Sequence, residues 1–298
     1  MKRVYDDALR VAGESLTEII AYVCDTLARG GAVELDVLDP DRGRPGLYAG
    51  ETTPHGVHRP WRVWTELADR LSARLSARTN GDRVTLTFVA LDRDRVPHRG
   101  EATEAYGQSS GFAAIKKLED PSFVLDLREA LARAKLSETA SVLDVGVNTG
   151  DELALVYEAA PTARVIGIDH AASAIAVARE RWPRAEFHVA DAFAPLALGR
   201  FDLVIAIGMM QSGNLDDRAL LRRLVQDHLQ GSIVLGVPNC RYVDGEVSYG
   251  ARMRNFAQPE LGLVVKDIAF YRKYLQQHHL QVFVTGRNYL FVTGVRSE

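Results

Sequence analysis

From Leu16 to Leu27 the apolar positions Leu16, Ile19, Ile20, Val23 and Leu27 fall on one face of a helix. Ser15-Leu16-Thr17-Glu18 reads as a capping box at its start, and Gly30-Gly31 ends it. Ala32 to Leu38 reads as a strand, followed by a polar, turn-rich stretch from Asp39 to Pro54. Trp61, Trp64, Leu67, Leu71 and Leu75 mark a second amphipathic helix, opened by Pro60. Val84 to Leu91, VTLTFVAL, is a second strand. The charged run Asp92 to Glu104, with Pro97 and Gly100, reads as a linker, so residues 1–104 are expected to form a small α/β domain.

Beyond the linker lies a polar, glycine-bearing segment, Tyr106 to Phe112, and then a helix opened by Asp120-Pro121 that carries Phe123, Val124, Leu127 and Leu131. From 141 onward the pattern alternates. Strands are expected at Ser141–Asp144, Arg164–Asp169, Glu186–Ala190, Asp202–Ile207 and Ser232–Val237, with helices near 151–160, 172–181 and 216–229. That rhythm predicts a parallel sheet with crossover helices. The ending differs. A helix near 260–279, with Leu263, Val264, Ile268, Tyr271 and Leu275 inward, leads to Gln281–Thr285, the turn Gly286-Arg287-Asn288, and Tyr289–Val295. Two strands joined so tightly are antiparallel. The expectation for residues 105–298 is α/β: a seven-stranded sheet of five parallel strands plus a C-terminal antiparallel hairpin.

Composition narrows the class without identifying it. The chain has 298 residues, 47% apolar and 25% charged, as in ordinary globular proteins, and a net charge of −3 that advertises no nucleic acid. Cys24 and Cys240 match no zinc or redox spacing and suggest a reducing compartment. MKRVYDDALR lacks an apolar leader core, and no run approaches the ~18 apolar residues of a membrane span. The expectation is a cytoplasmic protein with no membrane partner and no metal.

The chemistry concentrates in SVLDVGVNTGDELALV, residues 141–156. A strand runs into a turn with Gly146, Asn148 and Gly150, preceded by Asp144. A dinucleotide turn wants G-x-G-x-x-G, and the third glycine is missing. The pattern of an acid, x, Gly, x, Gly, x, Gly resembles the first motif of the class I S-adenosylmethionine-dependent methyltransferases, with Asn148 in place of the middle glycine. Small residues let backbone approach a ligand, and N–H groups at the following helix suit a carboxylate. Asp144 suits an ammonium. Asn is the non-glycine residue most tolerant of positive φ, so Asn148 is expected to keep the turn's shape. The resemblance covers roughly residues 105–298, and the C-terminal hairpin is a second mark of it.

The resemblance implies further positions. Asp169, ending the second strand, would accept the ribose hydroxyls, and His170 would flank the adenosine. Asp191 would take the adenine amine, Ala192 would offer its backbone N–H, and Phe193 would pack on the ring or in the core. Gly208 ends the fourth strand where that family faces the methyl group, with Met209 and Gln211 beside it. No Asn/Asp-Pro-Pro-aromatic motif stands there, which weighs against adenine N6 chemistry. Tyr106, Asn239, Arg241 and Tyr242 are candidate acceptor contacts. Cys240 has the position but not the companion Pro-Cys pair of RNA cytosine methyltransferases, and a plain loop thiol is favoured. Asp244 and Glu246 are candidates for an optional base, and no catalytic residue is assigned. Basic and aromatic residues interleave over 241–279; in the loop 241–258 they suit either a grip on RNA or an anionic small molecule or plain solvated cations, and on the helix solvated cations are favoured. The implied function is methyl transfer from S-adenosylmethionine, leaving S-adenosylhomocysteine, to a small-molecule acceptor. The alternatives are an RNA or protein methyltransferase that uses residues 1–104 for binding, and a non-catalytic S-adenosylmethionine-binding protein.

Overall fold

The computed structural model describes residues 8–42, 48–91, 116–193, 197–212, 215–243, 246–249 and 261–296, with backbone alone at 240–243, 246–249 and 261–263. Two compact units divide the chain, residues 1–97 and 98–298.

The first unit runs β1 (Leu9–Arg10), α1 (Leu16–Ala28), β2 (Ala32–Leu38), β3 (Thr52–Thr53), β4 (Gly56–Val57), α2 (Trp61–Arg70), β5 (Ala73–Asn80) and β6 (Arg83–Ala90). The Ser15 hydroxyl and the Glu18 carboxylate cap α1 reciprocally, as the sequence predicts. The sheet has the order β1-β2-β6-β5. Val33, Leu35, Val37, Leu86 and Phe88 alternate onto one face and pack with Ile19 and Val23 of α1 and Trp64 and Leu67 of α2. The second helix is shorter than expected. It ends at Arg70, Ser72 turns with φ 49°, and Leu75 belongs to β5. Only Ala73 of β5 is buried, so this exposed strand lacks apolar alternation, and Leu71 and Leu75 mimic helical spacing. The signal that could have found it is Asn80-Gly81-Asp82, a tight turn with Gly81 at φ 65°.

The second unit begins with a 3₁₀ turn at Lys117–Glu119. Then come α3 (Pro121–Ala134), β7 (Ser141–Val145), α4 (Leu153–Ala159), β8 (Arg164–Asp169), α5 (Ala172–Arg181) and β9 (Glu186–Val189). There follow β10 (Phe201–Ile207), α6 (Asp217–Arg223), β11 (Leu229–Pro238), β12 (Cys240–Val243), β13 (Glu246–Tyr249), α7 (Leu261–Gln277), β14 (Leu280–Thr285) and β15 (Tyr289–Arg296). The seven-stranded sheet has the order β14-β15-β11-β10-β7-β8-β9. Its five inner and leading strands pair parallel, and β15 pairs antiparallel to both β11 and β14. Two corrections apply. Residues expected as one loop from 241 form the β12–β13 hairpin, and the helix expected to 229 gives way after Arg223 to a π turn at Leu224–His228.

Alternation along the strands feeds two cores. Val142, Val165, Leu203 and Ile205 face α3, α4 and α5, whereas Leu143, Ile166, Val204 and Leu235 face α6 and α7. Both faces are covered, as parallel strands require. On α7, Val264, Tyr271 and Leu275 are buried and Ile268 partly so, as the periodicity predicts; the side chain of Leu263 lies outside those described. From β7 the chain winds outward through β8 and β9, then returns to place β10 on the other side. The strand order thus reverses between β7 and β10, and the carboxyl ends of these two strands open the crevice where such sheets bind ligands. Among the described residues no helix is long and apolar enough to cross a membrane, and no group of side chains could hold a metal ion.

Candidate functional site

The β7–α4 turn is built from left-handed residues. Gly146, Asn148 and Gly150 have φ of 78°, 48° and 70°. Asn148 thus adopts the glycine-like geometry expected of it. Its side-chain Oδ1 accepts from Thr149 N at 2.7 Å, an internal brace that stabilises the turn. The backbone is tied to the end of β8: Gly146 N and Val147 N donate to Ile168 O, and Asn148 N donates to Asp169 Oδ2 at 2.9 Å. From α5, Trp182 Nε1 donates to Gly150 O at 2.8 Å, and Arg181 reaches Thr149 O at 3.1 Å and pairs with Asp151. The glycines are needed for space as well as angle. A Cβ on Gly146 would lie 3.0 Å from Met209 Sδ, and one on Gly150 3.0 Å from Trp182.

Asp144, at the end of β7, is fully buried, and neither carboxylate oxygen has a hydrogen-bond partner among the described residues. Burial pushes its pKa well up, the nearby Glu152 carboxylate raises it further, and Lys117 opposes both. Glu152, at the start of α4, is also fully buried. Its Oε2 accepts from Lys117 Nζ at 3.2 Å, while Oε1 has no partner. Burial alone would lower the Lys117 pKa, but Glu152, Tyr289 and Asp144 outweigh it and the net shift is upward. Two buried carboxylates therefore lie within electrostatic reach of one ammonium, which bonds to Glu152. Orphaned carboxylate oxygens are costly in a folded interior, and a cationic ligand group is the chemistry that satisfies them.

Asp169 ends β8 with 8% exposure. Its Oδ2 accepts from Asn148 N and its Oδ1 from Ala171 N, each at 2.9 Å. A carboxylate has further lone pairs, so both oxygens retain capacity for ligand hydroxyls. His170 is exposed, with Nδ1 3.5 Å from Asp169 Oδ1. Asp191 stands two residues past β9, exposed, with Oδ1 accepting from Phe193 N at 2.7 Å. Phe193 is 38% exposed, so its core alternative is overturned; Ala192 is half-buried and packs at the edge of the α6/α7 core.

Across the crevice, Gly208 closes β10 with φ 76° and donates its N–H to Gly236 O. Met209 packs against Gly146, and Gln211 is buried with neither amide atom partnered. Asn239 Nδ2 donates to Arg287 O at 3.1 Å, and its Oδ1 is unpartnered. Tyr106 and the segment to Phe112, the linker 92–104, Asp244, and the side chains of Cys240, Arg241, Tyr242 and Glu246 lie outside the described residues. Lys117 and Glu152 escaped sequence reasoning. They are 35 positions apart, and neither falls in a motif.

Residues 142–230 match a family model described as a methyltransferase domain. A trans-aconitate 2-methyltransferase from Azoarcus sp. (strain BH72) is 38% identical over 119 residues, covering 39% of this chain and 46% of that protein. The protein of the same name from Paracidovorax citrulli is 42% identical over 85 residues, 28% of this chain and 33% of its own. The matches thus span less than half the length of these curated relatives. A solved structure titled a SAM-dependent methyltransferase from Aquifex aeolicus is 19% identical with a TM-score of 0.45, covering 62% of this chain and 98% of that one.

Proposed function

We propose that this chain, whose residues 142–230 match a methyltransferase-domain model, is a class I S-adenosylmethionine-dependent enzyme that transfers a methyl group from S-adenosylmethionine to a small-molecule acceptor. The observation that carries the reading is the β7–α4 turn. Three left-handed residues follow a buried Asp144 that has no partner among the described residues, with Asp169 hydrogen-bonded to the same turn. These groups fit the cofactor: Asp144 suits the ammonium of its amino-acid end, and Asp169 the ribose hydroxyls. His170, Asp191, Ala192, Phe193 and Gly208 complete the proposed pocket. The cofactor supplies an activated methyl on a sulfonium. The chain's task is to hold donor and acceptor in line and exclude water, and Met209, which lies beside Gly146, and Gln211 are the residues proposed to line that path. No proton need move at any residue named here when the acceptor atom is already anionic.

The small-molecule reading is supported by the name of the relatives, trans-aconitate 2-methyltransferases. A carboxylate-bearing acceptor of that sort would need no base. The decisive experiment is calorimetry with S-adenosylhomocysteine, followed by a labelled-methyl screen of metabolite, RNA and protein fractions. Asp169→Ala is expected to weaken S-adenosylhomocysteine binding by ~10–100-fold through loss of charge-assisted bonds. Undiminished binding by that variant removes Asp169 from the site, and label incorporated into RNA or protein replaces the small-molecule acceptor.

A further inference from the structure

We infer that Lys117 and Glu152, which lie outside the glycine motif, form with Asp144 a charge-matched receptor for an α-amino-acid end, Lys117 taking its carboxylate and the two acids its ammonium. The inference rests on the proposed cofactor reading and assigns residues that the motif does not contain.

The argument starts from charge. Asp144, Glu152 and Lys117 sit together on the α3/α4 side of the sheet, with Asp169 near enough to influence Asp144. Side-chain exposure is 18% for Lys117 and 1% for Glu152, and Asp144 is fully buried. One ammonium cannot neutralise two carboxylates, and the cluster is left with an unmatched negative charge whenever Asp144 ionises. Hydrogen bonding shows the same imbalance. Asp144 Oδ1 and Oδ2 and Glu152 Oε1 are buried acceptors with no partner among the described residues. Lys117 Nζ donates to Glu152 Oε2, and among the described residues its remaining N–H groups meet no acceptor. The site therefore offers spare acceptors on one side and spare ammonium donors on the other. A zwitterion satisfies both at once, whereas a simple cation would leave Lys117 unsatisfied and a simple anion would face two acids.

Packing fixes Lys117 in place. The 3₁₀ turn at Lys117–Glu119 leads into α3 through Asp120, which caps that helix by accepting from Ser122 N. Lys117 Nζ stands 5.7 Å from the centre of the Phe123 ring, which meets Tyr289 edge to face at 5.0 Å. The ammonium is thus held by an aromatic shelf and a single carboxylate, which suits a group that must receive a ligand without moving far.

The test compares two adenosine ligands by calorimetry on the full chain. S-adenosylhomocysteine carries the amino-acid end, and 5′-methylthioadenosine lacks it. Lys117→Met is expected to weaken S-adenosylhomocysteine by ~10-fold or more while 5′-methylthioadenosine changes less than ~2-fold. Lys117→Arg should keep most of the S-adenosylhomocysteine affinity. Because Lys117→Met strands a buried carboxylate, the double variant Lys117→Met/Glu152→Gln provides a charge-balanced fold and is expected to show the same selective loss. Equal losses for both ligands, or no loss for S-adenosylhomocysteine, overturn the inference. A wild-type chain that binds both ligands equally overturns it and leaves the cofactor reading standing. A wild-type chain that binds neither overturns both.

Discussion

Asp144 illustrates how a single residue can favour function over stability. Burial, followed by the proximity of Glu152, raises its pKa well above the ordinary 3.8. A folded state that holds the proton more tightly than the unfolded chain gains stability from it below the ordinary pKa. That contribution is lost as pH rises toward the raised value. Asp144→Asn removes the titration. Its melting temperature should match wild type near pH ~4 and exceed it at neutral pH by roughly 2–4 °C for each kcal/mol relieved, while S-adenosylhomocysteine binding falls. Thermal melts across pH test the sign: a difference that shrinks as pH rises contradicts it. Asn148 is the second residue-scale case. With φ at 48°, Asn148→Gly relieves left-handed strain that offsets the lost Oδ1–Thr149 brace and should leave stability and ligand binding nearly unchanged, and Asn148→Val should cost about 1–2 kcal/mol in urea unfolding. Both residues were legible in the sequence, because a left-handed turn after an acid-tipped strand needs particular residue types at fixed spacing. Lys117 and Glu152 were not, since their meeting is made by the packing of α3 beside α4 and leaves no trace in spacing.

At the scale of elements, the C-terminal hairpin ties the sheet to the entrance of the site. Asn288 Nδ2 donates to Asp120 Oδ2 at 2.8 Å, Arg287 N donates to Asp126 Oδ2 at 3.0 Å, and Asn239 N donates to Asn288 O at 2.8 Å. One turn thus joins the cap of α3 to the end of β11. Gly286 permits it. Its φ is 106°, and a Cβ there would lie 2.0 Å from Tyr289 O. Gly286→Ala is expected to lower unfolding free energy by ~2–4 kcal/mol, measured in urea, through backbone strain and loss of these ties. An unchanged denaturation midpoint would mean that the turn rearranges freely. The five parallel strands of this sheet were readable as apolar runs between turns, and the antiparallel pair β14–β15 from the tight turn at Gly286-Arg287-Asn288. β5 was not, since an exposed edge strand carries arginine and serine in a pattern that imitates a helix. The β12–β13 hairpin was hidden for a related reason: its polar and aromatic residues gave no clear period.

At the scale of the molecule, the division into two units makes a prediction about which part holds the donor. Residues 98–298 contain both cores of the large sheet and every described residue proposed to touch the cofactor. Residues 1–97 have a separate core around Trp64, Leu35 and Phe88. They also have a cleft of about 390 Å³ with Glu14, Ser15, Thr52 and Arg59 along its wall. Arg59 is buried there, with NH2 donating to Glu14 O at 2.5 Å, and burial lowers its pKa. A unit with its own core can fold alone. Residues 98–298 expressed alone should therefore bind S-adenosylhomocysteine within ~3-fold of the full chain, a difference below one kcal/mol. Labelled-methyl transfer by the same shortened chain then reads whether residues 1–97 contribute to acceptor choice. Calorimetry and labelled-methyl transfer on the same preparation separate the two effects. Equal transfer by the shortened chain would assign acceptor choice to the β10 and β11 strand ends, where Gln211 and Asn239 keep unpartnered amide atoms for it.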